Sequence, residues 1–111
     1  MEQISYNEFA KIQLYIGTVL TVSQNDKIRN PSYVLEIDFG ALGVRTSSAQ
    51  ITSLYHAEDL IGRQVVAVLN FPAKQIANIK SECLVLGCVQ EDSSVVLLQP
   101  ERIVPNGTRV S

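Results

Sequence analysis

Tyr33-Val34-Leu35-Glu36-Ile37-Asp38-Phe39 is the stretch that decides the fold class. Its odd-numbered positions are all aromatic or aliphatic, while Glu36 and Asp38 fall on the even ones. A period of two predicts a strand with one buried and one wet face. On the wet face two carboxylates solvate the strand rather than form an acid–base couple. Such a strand must bury its apolar face against others, and the flanking sequence supplies them.

Upstream, Leu14-Tyr15-Ile16-Gly17-Thr18-Val19-Leu20-Thr21-Val22 is a β-branched run that puts Leu14, Ile16, Leu20 and Val22 on one face. Gly17 is expected to mark a bulge or bend there. Ser5-Tyr6-Asn7-Glu8 has the form of a capping box, so a short helix is predicted from about Tyr6 to Lys11, with Phe9 and Ile12 as its apolar edge. The segment from Ser23 to Ser32, with Asn25, Asp26, Asn30 and Pro31, reads as a loop.

Downstream, Gly40 to Gly43 has the length of a hairpin connection to a third strand, Val44-Arg45-Thr46-Ser47-Ser48-Ala49, whose hydroxyl run is unusual for a core. Ala57-Glu58-Asp59-Leu60-Ile61 before Gly62 predicts a turn or two of helix with a glycine stop. Three apolar runs follow, Gln64 to Asn70, Cys83 to Val89 and Val95 to Leu98, each too continuous for a strand wet on one side. A small β domain has one interior, so the surplus must be covered by the terminal extensions, by a second copy of the chain, or by a ligand in a groove. Five or six short strands with a helical insert fall short of the roughly seven of a sandwich. The expectation is an all-β, five-stranded, partly open Greek-key barrel of the oligonucleotide/oligosaccharide-binding (OB) kind. It occupies one domain over residues 1–111, with a core from about 9 to 110.

Composition fits one folded domain: 46% of the 111 residues are hydrophobic and 18% charged, which excludes disorder and low complexity. A net charge of -2 argues against coating nucleic acid by bulk charge. The longest apolar run, Val65 to Leu69, is far short of the ~18 residues of a membrane span, and Met1 to Ser5 lacks a basic leader. The expected setting is cytosolic, without membrane insertion. Cys83 and Cys88, an odd number of positions apart on one expected strand, would face opposite ways and serve as small buried hydrophobes.

With His56 as the single histidine, with no Gly-x-Ser-x-Gly, and without phosphate-cradling glycine loops, neither a metal site, a triad nor a nucleotide cofactor is expected. Binding without catalysis is the expectation. Charge is uneven along the chain. Between Phe39 and Ser81, Arg45, Arg63, Lys74 and Lys80 face only Glu58 and Asp59, a local +2 in an otherwise acidic chain. From Ile61 to Ser81 the cations are interleaved with Asn70, Phe71, Pro72, Gln75, Asn78 and Ser81, groups that contact backbones or stack on bases. The apolar stripe of Phe71, Pro72, Ile76 and Ile79 equally suits an extended peptide.

Several strings carry a resemblance: Ser47-Ser48-Ala49-Gln50-Ile51-Thr52, Asn70-Phe71-Pro72, Lys80-Ser81-Glu82, Leu84-Val85-Leu86-Gly87, Val96-Leu97-Leu98-Gln99-Pro100 and Val104-Pro105-Asn106-Gly107-Thr108. In that order, from about Phe9 to Val110, the chain resembles the tRNA-binding-domain family, and within it the branch of export-related chaperones. The resemblance implies an OB barrel that forms a homodimer through its N- and C-terminal extensions. It implies a ligand groove of Arg45, Ser47, Ser48, Asn70, Lys74, Lys80, Ser81 and Glu82, to which Phe71, Pro72 and Ile76 add apolar contact. The implied partners are unfolded preprotein peptides and the protein-export motor, or tRNA; no cofactor is implied.

Where that branch usually reads Asn-Phe-Pro-Pro-Arg-Arg-Ile-Ala-Gly, this chain reads Asn70-Phe71-Pro72-Ala73-Lys74-Gln75-Ile76-Ala77-Asn78. Gln75 replaces a cation, and Ser53-Leu54 stands at positions that are often basic. Each lost cation removes about one unit of salt slope from an RNA complex, so tRNA binding is expected to be weakened. Asn78 stands for a glycine expected at positive φ, which Asn tolerates.

Overall fold

Ser5 accepts a hydrogen bond from the Glu8 amide at 3.1 Å and the Glu8 carboxylate accepts one from the Ser5 amide at 3.0 Å, so the capping box opens helix α1, Tyr6–Ala10. The structure, a computed structural model, describes residues 1–25 and 30–111. Asp26 of the expected loop therefore lies outside the described residues.

After α1 come β1 (Leu14–Gln24), β2 (Tyr33–Asp38), a 3-10 turn (Gly40–Leu42), β3 (Val44–Ala49) and helix α2 (Ala57–Leu60). Then follow β4 (Gln64–Val68), β5 (Lys74–Ile76), β6 (Ile79–Ser81), β7 (Leu84–Val85), β8 (Gly87–Val89), β9 (Val95–Leu97) and β10 (Arg109–Val110). Five strands run in the order β3-β2-β1-β4-β7, and β10 joins the sheet beside the start of β1. This curved sheet is the nearly closed wall of an all-β, OB-type barrel, with β5-β6 and β8-β9 as separate hairpins.

The alternating stretch behaves as its pattern requires. Leu35, Ile37 and Phe39 are fully buried, and Thr21 donates to the Glu36 carboxylate on the wet face at 2.7 Å. β1 departs from its expected face. Its register shifts between Val19 and Thr21, so Val19 enters the core and Leu20 is left exposed. The irregularity is therefore at Leu20 rather than Gly17. Gly17 instead permits close packing: a Cβ there would lie 2.7 Å from the Ile37 side chain and the Phe39 ring.

Two apolar layers share β4, whose five residues are all buried. Val65, Ala67 and Leu69 face the barrel interior with Leu35, Ile37 and Phe39. Val66 and Val68 face outward with Leu14 and Ile16, and Phe9, Leu86, Val104 and Val110 pack over them. The outer face of β4 is thus covered within the chain, chiefly by its two extensions, whereas Leu84, Val89, Val96 and Leu98 of the other two runs stay exposed. The tail is also tied down by polar contacts. Gln64 donates to the Val104 carbonyl at 2.7 Å and accepts from the Val104 amide at 3.1 Å, and Thr18 and Asn106 meet at 2.7 Å. Gly107, at φ +88°, closes this turn where a Cβ would meet the Phe39 carbonyl oxygen at 2.7 Å.

The run from Cys83 to Val89, expected as one strand, changes partners in mid-course. Leu84 and Val85 pair with β4, Leu86 donates to the Val66 carbonyl at 2.9 Å, and Gly87 to Val89 pair with β9. Cys83 is buried as expected, but Cys88 is exposed, so only one cysteine serves the core. None of the described helices is long and apolar enough to cross a membrane.

Candidate functional site

Beyond β4 the chain turns at Asn70-Phe71-Pro72 and enters the β5-β6 hairpin, which leans on the outer edge of β3. Register places Lys74 opposite Ser81, Gln75 opposite Lys80 and Ile76 opposite Ile79. Lys74, Ile76, Ile79 and Ser81 therefore share one face, and Gln75 and Lys80 the other. Ala77, not Asn78, takes the positive φ, at 53°. The hairpin is joined to β3 by side chains standing in for ladder bonds. The Ser81 hydroxyl accepts from the Ser48 amide at 3.1 Å, the Glu82 carboxylate accepts from the Thr46 amide at 3.0 Å, and the Glu82 amide donates to the Thr46 carbonyl at 2.7 Å.

Between hairpin and barrel lies a groove of about 650 Å³ lined by Ser48, Phe71, Pro72, Ala73, Lys74, Gln75, Ile76, Ser81, Cys83 and Leu84. Ser48, Phe71, Pro72, Lys74, Ile76 and Ser81 of the expected site thus meet around one cavity. Phe71 and Leu84 are exposed, and Lys74 is the single charged side chain of the lining.

The other expected residues stand around this cavity rather than on its walls. Ser47 is buried, and its hydroxyl donates to the Cys83 carbonyl at 3.1 Å, fixing the groove floor to β3. Asn70 uses both ends of its amide on the N-terminal segment, accepting from the Gln13 amide at 2.9 Å and donating to the Lys11 carbonyl at 2.7 Å. Arg45 donates to the Leu69 carbonyl at 3.4 Å, Glu82 is engaged by Thr46, and Lys80 is exposed. Arg63, counted in the basic window, lies over the Tyr55 ring at 5.1 Å and outside the groove lining. The local +2 of the sequence is therefore not one patch.

Cys83, Leu84 and Ala73 line the groove without having been expected. Leu84 was legible as part of an apolar run, but its exposure depends on the partner change at Leu86. Burial pushes the Cys83 thiol up from 9.0 to about 11, partly offset by the Ser47 hydroxyl and the Arg45 charge. It is a neutral, unreactive part of the floor at ordinary pH.

An OB-type barrel with an apolar-floored groove at its rim defines a small binding module. Residues 14–109 match the family described as "Putative tRNA binding domain". The chain belongs to that tRNA-binding-domain family, and its place within the family is of the CsaA type. It is similar to the crystal structure of chaperone CsaA from Bacillus anthracis, with 52% identity, a TM-score of 0.95, and coverage of 99% of this chain and 100% of that one. The CsaA chaperone protein from Picrophilus torridus is 44% identical with a TM-score of 0.91, covering 98% of this chain and 100% of that one. A curated relative, methionine–tRNA ligase from Pyrococcus furiosus, is 33% identical over 99% of this chain, which spans only 15% of that enzyme's length.

Proposed function

We propose that the protein is a CsaA-like homodimeric chaperone of the cytosol that holds unfolded or presecretory polypeptide segments in the groove and meets the protein-export motor. The lining carries this reading. Phe71, Pro72, Ile76 and Leu84 supply apolar wall, and Lys74 is the one charge available to an acidic or C-terminal group. Ser47, Asn70 and Glu82 are positioning residues: the Ser47 hydroxyl, both ends of the Asn70 amide and one Glu82 carboxylate oxygen are bonded within the chain. An extended apolar segment meets this surface without stranding buried charge. The same lining supports no catalytic step: the chain is read as a binding module, not an enzyme.

A second reading, structure-specific tRNA binding, is favoured by the family match and by exposed Lys74, Lys80 and Phe71 around the hairpin. There the two lysines, with Arg45, would meet phosphates and Phe71 a base.

One titration separates the two. Wild-type protein and Ile76→Asp are titrated with an unfolded preprotein peptide and with bulk tRNA at two salt concentrations. The peptide reading expects weak salt dependence and a loss of at least about tenfold in Ile76→Asp, the scale of losing one buried aliphatic contact. Peptide binding unaffected by Ile76→Asp overturns the groove assignment. Absence of tRNA binding at low salt removes the second reading.

A further inference from the structure

Among the described residues the barrel wall has an unpaired seam between the outer edge of β3 and the strand segment β7-β8, narrow where β3 and β7 pass within 8 Å of each other and opening along β8. Hydrogen-bond parity defines which backbone groups face it. The Leu86 amide donates to the Val66 carbonyl, so even-numbered residues of this segment bond to β4. The Leu98 amide donates to the Leu86 carbonyl and the Gln90 amide to the Ser94 carbonyl, so even-numbered residues also bond to β9 and the turn after β8. In an antiparallel ladder the alternate residues point their N–H and C=O the other way. Those residues are Val85, Gly87 and Val89: by this parity neither ladder uses their backbone groups, and among the described residues no turn or loop hydrogen bond outside the ladders reaches them. At the far side of the seam, Thr46 and Ser48 are bonded to Glu82 and Ser81, and beyond them no such bond covers Gln50 among the described residues. The opening between has a volume of about 330 Å³ and runs into the larger groove, since Ser48 and Leu84 line both.

We infer that this seam takes up an extended polypeptide as an added strand on the β8 edge, its backbone bonding to Gly87 and Val89 while its flanking side chains enter the groove. The inference rests on the peptide reading given above and adds how the peptide is held. A polypeptide is the occupant that fits for two reasons. Only a peptide backbone presents a donor and an acceptor on every second residue at the strand repeat of ~3.3 Å per residue. No residue lining the opening is charged, so a phosphate backbone finds no counter-charge there. Recognition through the backbone makes the site tolerant of sequence, as a holder of unfolded segments requires.

The test is amide exchange, read by NMR on the wild-type protein, with and without a saturating synthetic peptide alternating leucine and serine. Gly87 and Val89 are expected to exchange at least about tenfold more slowly when the peptide is bound. A companion variant, Val89→Pro, removes a donor that no described contact uses and is expected to weaken binding about three- to tenfold, the worth of one backbone hydrogen bond. Val89→Thr keeps the donor and is expected to bind within about twofold of wild type on the same scale. Binding without protection of the two amides overturns strand addition and leaves the groove reading standing. No binding of the peptide overturns both. Protection by tRNA and not by peptide overturns the inference and gives the seam to RNA.

Discussion

Ser47 and Asn70 are residues whose type was legible in the sequence and whose role was not. Hydroxyl and amide groups beside a ligand groove read as ligand contacts until their partners are known. In the fold Ser47 and both ends of the Asn70 amide are used internally, which sequence spacing cannot reveal because the partners of Asn70 lie 57 and 59 positions away. Cys83 and Cys88 differ in a measurable way. Brief alkylation with iodoacetamide at mild pH is expected to modify the exposed Cys88 and spare the buried Cys83, read as one adduct per chain by mass spectrometry. Two adducts in the native protein and two in urea would show that Cys83 is not shielded. The same thiol sets a pH window. Because its folded pKa of about 11 lies above its ordinary 9.0, its contribution to stability is complete below pH 9 and declines as the pH rises toward 11. Urea midpoints are accordingly expected to fall across that interval, and less so in Cys83→Ala.

At the scale of elements, β3 lies where the sequence put it, Val44–Ala49, and β2 follows its alternating stretch to within one residue, ending at Asp38 rather than Phe39. Where pairing rather than pattern decides, reading stopped short. The bulge at Leu20 and the partner change at Leu86 are properties of two strands at once, and no single strand's composition encodes them. The β5-β6 turn shows the same limit on a smaller scale. Asn78 was the expected left-handed residue, but the two-residue loop puts that conformation at Ala77, φ 53°. An alanine there carries a cost of roughly 1 kcal/mol that glycine does not. Ala77→Gly is therefore expected to raise stability by up to about 1 kcal/mol, whereas Asn78→Gly is expected to be neutral or slightly destabilising. Urea denaturation of the two variants side by side checks the assignment, and the opposite order would move the positive φ to Asn78.

At the scale of the whole molecule, the sequence showed more apolar surface than one barrel interior can use and left open what covers it. The fold answers with its own ends: Phe9 from the N-terminal helix, and Val104 and Val110 from the tail, lie over Leu14, Ile16, Val66 and Val68. This changes what the surplus implies for assembly. The proposed homodimer cannot be required to bury the outer face of β4, because that face is already covered, so it rests on the extensions presenting further apolar groups such as Ile4, Tyr6 and Ile103, all exposed. Deleting residues 105–111 separates the two roles. It removes the Asn106 contacts with Thr18 and Gln64, strand β10 and the Val110 side chain. If the tail completes the core, the truncated chain is expected to lose about 2–5 kcal/mol, the range for emptying a buried aliphatic site, and to bind a hydrophobic dye. Full-length protein at micromolar concentration is expected to sediment at twice the chain mass. A truncated chain that keeps its urea midpoint but sediments at the single-chain mass would assign the tail to assembly alone and overturn its role in the core.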